Sequence, residues 1–398
     1  MSNKYPTVFL HGFFGFGEAD GVDKVIPYWG VRQDRKLLPY LEQNGFETYH
    51  PSISPFNSGW DRACVLYAYL FGGRVDYGKV HSEKYHHERF GRTYPGVLKD
   101  LGKTEAHKKI NIVGHSFGGP AVICFSGLMT HGAPEEVAAT DPDDLNPLFK
   151  GGQGHLIHTA TTLSGVNNGT AFASWLREFG VDFVDDLVLL LDEFLRDTAF
   201  TRFWDFYLDQ FGFNQDPKTT KTFHFQNPFK YWKLIKEYDD LHMDGVGHEM
   251  KIEYCKVMND YMGMSDSTYY FARRGCRTHL NKAGTKSLAN DNMTFISRIP
   301  RALCNYNSDL LRNEYGVDET WLPSDGLVNV KGQSAPLNKP QADWDGKDAS
   351  GLKAGIWYNM PVEDKDHMSW MGIGEDKDTY FRYFLDMMNL FANLPDAD

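Results

Sequence analysis

Hydrophobic and polar positions along the chain fall into two alternating patterns. Short, nearly unbroken apolar runs, such as Thr7–Leu10 and Lys109 to Val113, predict strands buried on both faces. Helical periodicities lie between them. Arg32 to Asn44 carries Leu37, Leu38 and Leu41 and is stopped by Gly45, after which Thr48-Tyr49 restarts extended chain. Pro120 to Met129 reads as the helix after the Lys109 to Val113 run. Such alternation predicts a mostly parallel sheet with helices on both faces.

Two regions interrupt the rhythm. Residues from about 55 to 95 are crowded with His, Asp, Tyr and Gly. Those from about 173 to 244 open on a stripe at three- and four-residue steps that includes Trp175, Leu176, Phe179, Phe183, Leu187 and Leu190. Interleaved acids (Glu178, Asp182, Asp185) leave a polar face. The stripe suits either a helix packed on the core or a lid over an apolar cleft. No Pro/Ser-rich linker flanks either region, so one domain over residues 1–398 with two insertions is expected.

Composition narrows the function. Aromatic residues at 15% and charged residues at 24% exclude a disordered chain. A formal charge of −12 argues against nucleic acid as a partner. No apolar run approaches the ~20 residues of a spanning helix, and no signal peptide follows Met1, since a strand-like run starts at Thr7. The 5 cysteines lack C-x-x-C spacing and are expected as buried free thiols with at most one disulfide.

Candidate chemistry centres on Gly114-His115-Ser116-Phe117-Gly118, a G-x-S-x-G pattern between a predicted strand and a predicted helix. A sharp strand-to-helix turn holds the serine in a strained, exposed conformation that only flanking glycines allow. A serine hydroxyl needs a base, and the base needs an acid to orient it, in the chain order serine, acid, histidine. His367 is the sole histidine in the last hundred residues. Asp325, before a Gly turn in Trp321-Leu-Pro-Ser-Asp325-Gly-Leu-Val, is favoured as the acid over Asp318 and Asp343. Oxyanion-hole donors are expected from the backbone amides of Phe117, next to the nucleophile, and Phe13, in the loop after the first strand.

These residues, with Tyr28-Trp29-Gly30, Trp60-Asp61-Arg62-Ala63-Cys64, Gly73-Arg-Val-Asp76-Tyr77-Gly78 and Arg89-Phe-Gly-Arg-Thr-Tyr-Pro-Gly96, run through almost the whole chain. The chain resembles the large lipases of thermophilic Bacillus and Geobacillus and the related staphylococcal lipases. The resemblance implies an α/β-hydrolase with a helical lid, the triad Ser116, Asp325 and His367, and a secreted, extracellular enzyme. It implies triacylglycerol or another insoluble ester at a lipid–water interface as substrate, with short-chain esters or polyesters as the alternative. It also implies a structural zinc on Asp61, His81, His87 and, by an Asp-Leu-x-x-x-Gly pattern, Asp240. His81 and His87 are six residues apart and would face apart on one regular helix, so a shared ion requires a break between them. Four protein ligands leave no open position, which disfavours a zinc-dependent hydrolase.

The chain departs from the family where the thermophilic members bind calcium: the glutamate two residues after the histidine is Ser369 here, and the aspartate seven after it is Gly374. Calcium is therefore not expected at that place. Phe117 stands where those relatives carry Gln, and Gly165-Val-Asn-Asn168-Gly-Thr replaces a Pro-His segment, so acyl-chain preference does not carry over.

Overall fold

Val8 and Phe9 are neighbours in the chain, yet both are fully buried and join different cores. Successive side chains of a strand point to opposite faces, so a sheet covered on both sides favours apolar residues on both faces of each strand. The computed structural model describes residues 3–178, 203–205, 207, 210 and 244–397. Among these the strands are β1 (Thr7–Leu10), β2 (Thr48–Tyr49), β3 (Gly73–Asp76), β4 (Phe90–Tyr94), β5 (Ile110–His115), β6 (Ile157–Leu163), β7 (Tyr269–Gly275), β8 (Thr278–Leu280), β9 (Ser287–Ala289), β10 (Gln341–Asp343) and β11 (Trp357–Glu363).

Seven of them form one sheet in the order β10-β11-β7-β6-β5-β1-β2, and every neighbouring pair is parallel. One face packs Val8, Ile112 and Ala160 against the helices Gly59–Phe71 and Gly118–His131. The other packs Phe9, Val113 and Phe271 against Phe384 and Met388 of the C-terminal helix Lys377–Asn393. Order and direction are those expected of an α/β-hydrolase sheet. Because all seven strands run the same way, the loops after β1, β5 and β11 leave from one edge, where ligands gather in open parallel sheets.

The expected helix from 32 to 44 is broken. Gln33–Arg35 is a 3-10 turn, Lys36 is extended, and the α-helix runs only over Leu37–Gln43. The Leu37 amide donates to the Trp29 carbonyl at 3.1 Å instead of to the preceding turn. Within residues 55–95 the chain forms the helix Gly59–Phe71, the antiparallel pair β3–β4 and the short helix Lys79–Lys84, all outside the main sheet. Of the apolar stripe, Trp175 and Leu176 lie on the helix Ala171–Glu178, while its continuation lies outside the described residues. All five cysteines are free thiols. No helix among the described residues is long and apolar enough to cross a membrane.

Candidate active site

β5 ends at His115, and the next residue, Ser116, takes a left-handed φ of 57° before the helix Gly118–His131 begins. A side chain at Gly114 would place its Cβ 2.2 Å from the Gly118 carbonyl oxygen, and one at Gly118 would meet the Leu10 carbonyl at 2.8 Å. Both glycines are therefore demanded by the turn. Gly12, after β1, packs equally closely: a Cβ there would lie 2.6 Å from Ser116 Cβ. This brings the Phe13 loop alongside the hydroxyl.

His367 arrives on the short turn His367–Met371, which follows β11. Its Nε2 lies 2.8 Å from Ser116 Oγ and its Nδ1 2.8 Å from Asp325 Oδ2. A carboxylate only accepts, so Nδ1 carries the proton and Nε2 is free to accept from the serine. Asp325 Oδ1 accepts from the amides of Leu327 at 3.0 Å and Val328 at 2.8 Å. Ser116, His367 and Asp325 are all buried. Phe13 and Phe117 belong to one apolar cluster with Phe14, Phe56, Val246 and Leu327.

Two buried networks brace this arrangement, and the sequence patterns did not single either out. The Gly12 amide donates to the Tyr28 hydroxyl at 2.8 Å, which lies 2.7 Å from His115 Nδ1, while His115 Nε2 sits 3.0 Å from the His367 carbonyl. Tyr28 thus donates to Nδ1, and Nε2–H donates to the carbonyl. Burial, followed by the His367 charge, holds the His115 pKa well below its ordinary value and keeps the ring neutral. Arg62 forms the second brace. Its guanidinium donates to the carbonyls of His11 at 3.0 Å and Gly12 at 3.4 Å and lies 4.7 Å from the centre of the Phe117 ring. Burial lowers its pKa to about 9. The sequence signals were present, since Tyr28 lies in a family-like segment and His115 is the variable residue of G-x-S-x-G, but their partners were not.

A second cluster lies within the region from 55 to 95. One ligand atom each from Asp61, His81, His87 and Asp244 fall within 4.8 Å of one another. His81 Nε2 and His87 Nε2 lie 2.9 and 3.1 Å from Asp244 Oδ2, and His81 Nε2 lies 3.4 Å from Asp61 Oδ1. The required break is present: the helix stops at Lys84, His86 adopts a φ of 55°, and His87 turns back toward His81. The expected fourth ligand, Asp240, lies outside the described residues, and among the described residues the carboxylate that completes the group is Asp244. The segment Asp240-Leu-His-Met-Asp244-Gly offers two aspartates, and the second of them reaches the cluster. Gly245 bridges Asn57, and the Val246 amide donates to the Phe56 carbonyl at 2.9 Å, which delivers Asp244 to the start of the helix bearing Asp61.

Two imidazoles and two carboxylates make a ligand set suited to zinc. Buried Asp61 Oδ1 has no hydrogen-bond partner among the described residues. Burial alone would lower the His81 pKa, but the charges and hydrogen bonds of Asp244 and Asp61 together outweigh it and raise the value to about 10. Burial, then Asp244, raises that of Asp61. Four ligands that must recruit protons to coexist are poised for a divalent cation instead.

Solved structures match this architecture over nearly its full length. Staphylococcus hyicus lipase superposes with a TM-score of 0.80 at 28% identity, covering 98% of this chain and 96% of that one. EstA from Clostridium botulinum gives 0.79 at 30%, covering 100% and 89%. Fold and solved structures place the chain on the α/β-hydrolase fold, alongside proteins named as lipases and esterases. Residues 3–397 match the family described as "Lipase-like, C-terminal domain", and the chain belongs to that family. The lipase of Staphylococcus epidermidis is 32% identical over 383 residues, 93% of this chain and 50% of that protein. Lipase 2 of Staphylococcus aureus is 30% identical over 376 residues, 93% and 51%. The chain spans about half the length of these curated relatives.

Proposed function

We propose that the chain is a serine carboxylic-ester hydrolase, acting as a triacylglycerol lipase outside the cell. The observation that carries the reading is the unbroken line Ser116 Oγ, His367, Asp325, with both contacts at 2.8 Å. Ser116 Oγ attacks the ester carbonyl while His367 Nε2 takes its proton, and Asp325 offsets the charge of the imidazolium. The amides of Phe13 and Phe117 receive the developing oxyanion. His367 returns the proton to the departing alcohol, and water then repeats the cycle on the acyl-enzyme. The stripe from Trp175 onward, which continues outside the described residues, would serve as a lid that opens against lipid or another insoluble ester.

Zinc bound to Asp61, His81, His87 and Asp244 would supply a structural clamp between the two insertions. The serine route takes no step from it. The aromatic wall of Phe13, Phe14 and Phe56 favours a second reading, a carboxylesterase on short or aromatic polyesters. Ser116→Ala decides the mechanism: folded protein should lose essentially all hydrolysis, and retained turnover would refute the assignment. A series of esters from acetate to palmitate, with polyester film, separates the two substrate readings.

A further inference from the structure

Arg277 follows β7 and is only 6% exposed. Its amide donates to the carbonyl of Ser324, the residue before Asp325, at 3.2 Å. Its guanidinium turns the other way, into the segment that carries His367. Nη2 donates to Glu375 Oε1 at 2.7 Å and to the Asp364 carbonyl at 3.0 Å. Nη1 donates to the Asn292 carbonyl at 3.3 Å and lies 3.5 Å from Asp366 Oδ2. Asp366 is fully buried and caps the His367 turn, its Oδ1 accepting from the amides of Met368 at 3.0 Å and Ser369 at 3.2 Å. Nε also lies 3.4 Å from Asp364 Oδ1, so one organic cation gathers two carbonyls and three carboxylates beside the segment that carries His367.

Such a ring of oxygens is the environment of a calcium ion. The positions from which the resemblance would draw calcium ligands do not fit one. Ser369 Oγ is taken up by Asp366, accepting from its amide at 3.2 Å, and residue 374 is glycine. A Cβ built at Gly374 would lie 3.9 Å from Arg277 Nη1, so a carboxylate at this position would reach into the space the guanidinium fills. We propose that Arg277 is a positioning residue that takes the place of a calcium ion, its charge holding the His367 turn against the Asp325 loop. The proposal rests on the reading of His367 as the base.

The test compares wild type with Arg277→Ala, with zinc present throughout, alone and with added calcium or methylguanidine. Melting temperature, KM and kcat per phosphonate-titrated site are measured. Wild type should respond to neither cation. The variant should lose on the order of tenfold to a hundredfold in kcat at nearly constant KM, as a displaced base would. Calcium or methylguanidine should raise its melting temperature and restore kcat. Full kcat per titrated site, or a melting temperature and kcat indifferent to both cations, overturns the proposal. If Arg277→Ala does not fold, Arg277→Ser with Gly374→Asp replaces it; a melting temperature raised by calcium supports the assignment, and an unchanged one defeats it. Hydrolysis by Ser116→Ala would instead defeat the proposed mechanism, and the cation response of the melting temperature would still decide Arg277.

Discussion

His367 and Asp325 are bonded twice: the amide of His367 donates to the Asp325 carbonyl at 3.0 Å, and its ring Nδ1 to the carboxylate at 2.8 Å. Backbone and side chain together fix both the place and the tautomer of the imidazole. In Asp325→Asn the side-chain oxygen would keep the Leu327 and Val328 amides as donors, leaving the NH2 group to face Nδ1. The ring would then carry its proton on Nε2, facing Ser116. A loss of about ten-thousandfold in kcat is expected, with the fold retained. Stopped-flow measurement of acylation, per titrated site, checks this, and a loss below tenfold would count against the assigned role.

Tyr28→Phe removes a hydroxyl that serves both the Gly12 amide and His115 Nδ1. Two buried groups lose their partner, so stability should fall by about 2 kcal/mol. Urea unfolding of the two proteins measures the difference. No change would mean that water or a rearranged His115 replaces the hydroxyl.

Zinc dependence should follow Asp244 and not Asp240. Asp244→Asn is expected to lower both bound zinc and melting temperature, and to leave little further effect for a chelator. Asp240→Asn should behave as wild type. Metal analysis alongside calorimetry separates them, and the reverse pattern would return the fourth ligand to the earlier position.

Acid should destabilise the fold through buried neutral histidines. Burial lowers the His158 pKa to about 4 from 6.5, and lowers those of His11 and His115 as well. The unfolded chain binds these protons first, so the contribution is fully present above pH 6.5 and is lost as pH falls toward 4. For His158 alone this amounts to roughly 3 kcal/mol at most. His158→Gln should flatten the slope of unfolding free energy between those limits, and an unchanged slope would remove His158 as a cause.

β1 and β5 were legible in the sequence because a strand buried on both faces admits few polar positions, and Ser116 because its turn dictates glycine on either side. The same reasoning reached Asp325 and His367 through chain order and the scarcity of late histidines. It failed where tertiary partners decide. Two aspartates share one segment near Gly245; the pairing of Gly245 with Asn57, which no local pattern marks, brings Asp244 to the cluster, while Asp240 lies outside the described residues. Tyr28 and His115 meet across 87 residues, and Arg277 and Asp366 come from separate loops, so no local pattern marks them. The helix expected from 32 was interrupted because Leu37 found its acceptor on Trp29.

Ser116 and His367 stand 251 residues apart in the chain, and the histidine comes after the last strand. On the proposed reading of His367 as the base, a growing polypeptide could assemble most of the sheet while chemically inert, because that residue is still to be synthesised. The proposed hydrolytic capacity would then switch on late, when the final turn and the helix Lys377–Asn393 dock onto a scaffold already formed. A chain cut after Glu363 would keep every described strand and lack His367, the proposed base.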